Sequence, residues 1–148
     1  MQVKKTYIAV IACALINTNA QDKTNAIEHD NRSSTKIIQT YRFDELLDDG
    51  SYTIKIENLS SNINISGHEG SGAKIVIRNI AQVITEREAQ EAYEHSKTIV
   101  KNFKDEEMIH IIGNDDKVQG MEMENFIDLN LPKHINLEIN LLGGDISL

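Results

Sequence analysis

The chain has 148 residues and carries 15 basic against 23 acidic side chains, a net charge of −8, with a single cysteine, Cys13. A surface this acidic repels nucleic acid and anionic headgroups, which excludes both as expected partners. A lone cysteine builds neither a disulfide framework nor a thiolate zinc site, and the length suits one domain.

Residues 1–20 read as a signal peptide. Lys4 and Lys5 form a basic start, 7–15 is a short apolar run, and Thr18-Asn19-Ala20 supplies small residues before a cut ahead of Gln21. The run is shorter than the roughly 20 apolar residues a membrane-spanning helix needs, so no transmembrane span is expected. A second reading takes Val10-Ile11-Ala12-Cys13 as a loose lipobox with a lipid anchor at Cys13. Losing Lys4 and Lys5 with the leader moves the net charge from −8 to −10. It also removes the only thiol, which suits an exported bacterial protein better than a disulfide-dense secreted domain. Residues 21–35 are polar and predict a disordered linker ahead of a folded region at 36–148.

In that region aliphatic side chains recur at every second position, the pattern of strands with one face buried. Strands are expected at 36–43, 52–57, 62–66 and 73–80. They are separated by the acidic turn Asp48-Asp49-Gly50, by Asn58-Leu59-Ser60-Ser61 and by a glycine-rich turn at 67–72. The period then changes. Over 85–104 the apolar residues Ala89, Ala92, Tyr93, Ile99, Val100 and Phe103 fall at helical spacing, with Glu and Lys on the other face. Thr85 and Glu88 have capping-box spacing. This predicts one amphipathic helix of about 30 Å packed on the sheet. Strands resume at 108–112, 124–131, 134–141 and 145–148, with a polar turn at 113–120 and Pro132 marking a boundary. The fold class read from these signals is mainly β, a single stack of short strands with one helix.

No catalytic, cofactor or metal constellation emerges. His29, His68, His95, His110 and His134 include no pair at metal-ligand spacing. Glu107 and His110 are three apart on an expected strand, so they point to opposite faces, and His110 faces solvent. Asp105-Glu106-Glu107 and Asn114-Asp115-Asp116 lack the spacing of a calcium loop. The glycines at 67–72 precede no helix and no Lys-Ser pair, so they do not cradle phosphate.

The order of parts resembles the adhesin-like domains (auto-transporter adhesin head-type) of bacterial envelope proteins. The resemblance is carried by YTIKIENLSSNINISGHEGSGAKIVIRN at 52–79 and DLNLPKHINLEINLLGGDISL at 128–148. Within these, Asn62 to Gly67 and Gly144-Asp145-Ile146 match recurring elements of that family. It implies a β-solenoid with aliphatic ladders inside, and no reactive residues to carry over. Members continue through further Gly-Asp-Ile coils, so the expectation is a truncated member or an end covered by another chain, since solenoid repeats bury their faces only against neighbours.

The functional expectation is an exported, non-enzymatic cell-envelope protein in the periplasm or at the cell surface, with a structural or interaction role. The alternative is a periplasmic regulatory or stress-associated protein that binds an envelope partner by strand addition. A carbohydrate-active enzyme ranks last, because three Phe, four Tyr and no Trp leave little for sugar stacking.

Overall fold

The computed structural model describes residues 8–9, 22–30, 34–46, 50–82, 85–113 and 123–148. The alternating aliphatics form strands as the period of two requires. In chain order these are β1 (Ile8–Ala9), β2 (Asp22–Asp30), β3 (Ser34–Phe43), β4 (Thr53–Ser60), β5 (Asn62–His68) and β6 (Ala73–Ala81). Helix α1 (Glu86–Ser96) follows, then β7 (Ile99–Phe103), β8 (Met108–Ile112), β9 (Met123–Pro132), β10 (Asn136–Gly143) and β11 (Ile146–Ser147). They build two mixed sheets, a larger one ordered β1-β2-β3-β6-β9-β5-β11 and a smaller one ordered β10-β4-β8-β7. The protein is mainly β.

Three strand pairs pass from the smaller sheet to the larger: β4 to β5, β8 to β9 and β10 to β11. Corresponding strands pair in parallel, β4 with β8 and β10, β5 with β9 and β11. Each crossing is therefore a rung, and the first in sequence, β4/β5, lies between the other two. Like positions stack on like positions: Ile54 opposes both Ile109 and Leu137, Ile56 opposes both Ile111 and Ile139, and Ile63 opposes both Ile127 and Ile146. The remaining strands run antiparallel. β6 pairs β9, β3 pairs β6, β2 pairs β3, and β7 pairs β8.

The core lies between the sheets. Ile54, Ile56, Ile109 and Ile111 of the smaller sheet share one buried cluster with Ile63, Ile75, Ile77, Ile127 and Leu129 of the larger. Each such side chain contributes roughly 1.5–3 kcal/mol by leaving water. A second, thinner cluster of Ala81 and Ala92, with Met123 against it, seats α1 on the flank formed by β3 and β6.

Four expectations change. Residues 22–30, expected in a linker, are β2, and its nine residues pair in register with β3, with Ile27 buried. The helix ends at Ser96 instead of reaching 104, because Thr98, Ile99 and Val100 are β-branched and lose rotamer freedom in a helix. Its start is as read: Thr85 Oγ1 accepts from the Glu88 N–H and Glu88 caps the Thr85 N–H in return. The segment 58–61 is no turn, since β4 runs to Ser60 and only Ser61 separates it from β5. Finally, neither sheet closes on itself, so the described strands amount to two mixed sheets and not to a complete solenoid coil. The polar turns expected over 48–49 and 114–120, and all of 1–20 except Ile8 and Ala9, lie outside the described residues.

Candidate functional site

Alternation sends every second side chain of a strand outward, and the outer faces carry the polar chemistry. On the smaller sheet Lys55 and Glu57 of β4 lie two apart, and His110 of β8 is paired in register with Lys55. Glu57 bridges them: Lys55 Nζ lies 2.8 Å from its Oε1, and His110 Nε2 lies 2.8 Å from its Oε2. The Lys55 hydrogen bond, followed by that of His110, holds the Glu57 carboxyl below its ordinary value, and Glu57 in turn raises Lys55. His110 faces outward, as read from the sequence, but it is half-buried against Glu57. On the larger sheet Arg78 Nη2 meets Asp128 Oδ2 at 2.7 Å, and Asn64 Nδ2 donates to Asp128 Oδ1 at 2.9 Å. Partly exposed pairs contribute modestly, and of these Glu57–His110, Arg78–Asp128 and Asn64–Asp128 tie neighbouring strands together. No nucleophile with an adjacent base is part of either arrangement.

The other singled-out groups disperse. His68 ends β5, where its Nδ1 accepts the Gly70 N–H at 2.8 Å and so organises the glycine turn. His95 sits in the last turn of α1, His134 in the turn between β9 and β10, and His29 in β2. Asp105 and Glu106 belong to a short 3-10 turn, and Glu107 follows it with φ of 50°. Among the described residues no three His, Cys, Asp or Glu side chains are grouped as metal ligands would be. A shallow concavity of about 210 Å³ at the glycine turn is lined in part by Arg42, Asp44, His68 and Lys74. Its cations and carboxylate share the rim, so it does not present one sign of charge.

The feature that departs from an ordinary surface is the outer rung. Along the first ladder Ile109 and Ile54 are 0% exposed, whereas Leu137 is 37% exposed. Along the next sheet Ile127 is 0%, Ile63 1% and Ile146 48% exposed. Leu142 and Leu148 add 56% and 97%. β10 pairs with β4 on one edge, and among the described residues no strand pairs with the other. The Asn136 N–H donates to Tyr52 O, so by alternation Leu137 and Ile139 turn their N–H and C=O groups to the free edge. Edge strands are commonly blunted by Lys, Pro or an inward-pointing charge. Over Asn136–Gly143 the only charge is Glu138. At the opposite end β8 pairs with β7 and β9 with β6, and β7 is itself an edge strand with no partner on its far side among the described residues.

The corner that seats this rung needs glycine. Gly144 has φ of 103°, and a Cβ there would lie 2.1 Å from Ser61 O. That close approach lets the Ser61 N–H donate to Gly143 O at 3.0 Å and the Ile63 N–H to Asp145 O at 2.8 Å.

No protein-family model matches the chain, and neither a curated protein nor a solved structure matches it. The sequence announced the aliphatic ladders but not which rung is outermost, because β4 comes first in the chain and lies in the middle of the stack. The Glu57–His110 contact was equally hidden, since the two are 53 residues apart and only the parallel register brings them together.

Proposed function

We propose that this chain is an exported, non-enzymatic protein of the bacterial cell envelope whose three rungs form a short, adhesin-like, solenoid-like stack with a structural or interaction role. The interaction surface is the free edge of β10 and the aliphatic side chains of the outer rung beside it. The observation that carries this reading is the ladder Ile109–Ile54–Leu137, buried at two rungs and open at the third. Export rests on the basic-apolar-small order of residues 1–20, and a lipid anchor at Cys13 is part of the same proposal. The regulatory alternative, a periplasmic protein that binds an envelope partner, uses the same edge by strand addition.

Fractionation of cells expressing the chain tests it. The expected result is a shortened protein outside the cytoplasm. Release from the membrane fraction on Cys13→Ser identifies the anchor, and sensitivity to added protease separates the cell surface from the periplasm. A full-length pool confined to the cytoplasm sinks the proposal.

A further inference from the structure

The inner face of the larger sheet is not apolar throughout. Along β6 the inward positions are Ala73, Ile75, Ile77, Asn79 and Ala81, and the amide among them is 0% exposed. Asn79 separates the main cluster, which holds Ile75 and Ile77, from the thin cluster of Ala81 and Ala92. Beside it on β3, Gln39 opposes Ile77 and is 3% exposed. Asn25 of β2 in turn opposes Gln39. Alternation puts the three amides on one face, with Gln39 directly across from Asn25 and diagonal to Asn79. Such positions lie about 4.5–5.5 Å and 7–8 Å apart, which Asn and Gln side chains can span.

Asn25 Oδ1, Gln39 Oε1 and Asn79 Oδ1 are all buried and accept from no donor. A relay fixes the orientation of Asn79. Asn125 Nδ2 donates to Ser60 O at 3.3 Å, which leaves Asn125 Oδ1 to accept from Asn79 Nδ2 at 2.7 Å. Turning the Asn79 amide over would set oxygen against oxygen, so its Oδ1 points away from Asn125 as an acceptor. Buried polar atoms are ordinarily paired, and leaving an acceptor without a donor is destabilising. A donor buried without a partner on these strands is Arg78 Nε, and alternation sends it to the opposite face. The atoms buried without partners in this seam are therefore oxygens.

Water brings lone pairs as well as hydrogens and suits a mixed lining; a cation suits oxygens alone. These oxygens are neutral, without the carboxylates by which proteins hold calcium or magnesium, and neutral oxygens can replace the hydration shell of a monovalent ion. We propose that Asn25, Gln39 and Asn79 form a site for one small monovalent cation, an alkali ion or ammonium. The net charge of −8 favours cations near the chain. Entry is from β2, where Asn25 is half-buried. The bound ion ties β2, whose buried apolar side chain is Ile27, to β3 and β6.

Thermal melts of the purified chain test the site, with sodium, potassium, ammonium and choline chlorides compared at equal ionic strength. Choline is too bulky to enter and reports the screening of surface charge alone. The expected result is a saturable rise in Tm with a small cation, about 3–6 °C at a tenfold excess over Kd, beyond any rise in choline. The ranking of sodium, potassium and ammonium identifies the ion. Amide exchange in β2 should slow on the same titration. Gln39→Met removes one oxygen while nearly keeping the volume and should abolish the cation-specific rise; Asn25→Leu, at the half-buried end, should reduce it. Sodium-23 line broadening by the parent chain, relieved by the preferred ion, gives a reading that needs no variant to fold. Equal melts in small cations and choline, a cation-specific rise that survives Gln39→Met, or an unbroadened sodium line where sodium raises Tm each overturns the proposal.

Discussion

The inner and outer rungs are made of the same residues at the same spacing, yet they meet different surroundings. Ile54 and Ile56 are sandwiched between the Ile109–Ile111 pair on one side and Leu137 and Ile139 on the other, and both are 0% exposed. Leu137 and Ile146 have the same neighbours on one side only and stand 37% and 48% exposed. Burial in this fold is therefore given by the next rung, not by the strand itself. The outward faces differ in the same sense. The inner rungs are laced by Glu57 with Lys55 and His110 and by Asp128 with Arg78, whereas β10 of the outer rung adds one charge, Glu138 opposite Lys55, between the neutral Asn136 and Asn140.

The largest test of that contrast is a matched pair of truncations. Ile56→Ala opens a void in a closed cluster and should cost about 2–5 kcal/mol. Leu137→Ala removes a side chain already facing water on one side and should cost under about 1 kcal/mol. Urea unfolding of the two variants beside the parent chain measures both. Equal losses would mean that the outer rung is as enclosed as the inner ones.

The depth of the antiparallel flank can be read by titration. Burial pushes the Tyr41 phenol from 10.0 up to about 12. Burial also raises Tyr52, whose hydroxyl donates to Asn102 Oδ1 at 2.6 Å. A raised folded-state pKa stabilises the protein fully below the unfolded value, and that stability is lost as pH rises through the folded one. Stability should thus fall by about 2–3 kcal/mol between pH 10 and 12. Ultraviolet titration should show one tyrosine ionising about two units late, and Tyr41→Phe should remove both effects. A normal titration for all tyrosines would place β3 much nearer to solvent.

Gly144→Ala addresses the corner that joins the outer rung to the stack. The new methyl would strike the Ser61 carbonyl in a backbone conformation with positive φ, and a loss of about 1–3 kcal/mol is expected. The damage should be local. Amide exchange should quicken in β10 and β11 while Ile54, Ile56, Ile109 and Ile111 keep their protection. Uniform loosening would show that all three rungs unfold as one unit.

Much of this architecture was readable before any coordinates, and the misses have particular causes. The strand 108–112 is found with the bounds expected, because Ile109 and Ile111 alternate cleanly between short turns. β2 was missed because only Ile27 marks its inner face, and its other residues look like a polar tether. The end of α1 was misread because Ile99, Val100 and Phe103 suit a helical stripe as well as a strand, and β-branching decided between them. Leu59 breaks the alternation of Ile54 and Ile56 because the register skips Asn58, so Leu141 opposes Leu59 one step after Asn140 opposes Glu57. The exposed ladder at β10 could not be read at all. Leu137, Ile139 and Leu141 are as aliphatic as any inner strand, and only the spatial order of the rungs tells them apart.

The smallest expected effect concerns the outer faces. Glu57 is held below its ordinary value of 4.5, so its contribution is present above that pH and is lost as pH falls through the lowered value. Lys55 is raised above 10.5, and its share persists until pH rises through the raised value. Between these limits the Lys55–Glu57 contact should be constant. Glu57→Gln should remove the acid-side slope and change neutral stability little, because partly exposed pairs contribute modestly. Asn140 faces Glu57 from the outer rung without a charge, so Asn140→Asp sets a like charge opposite Glu57 and should shrink the acid-side slope. Acid melts of the parent and both variants, run side by side, make the comparison. An unchanged slope in Asn140→Asp would show that the outer rung stands too far from Glu57 to act on it.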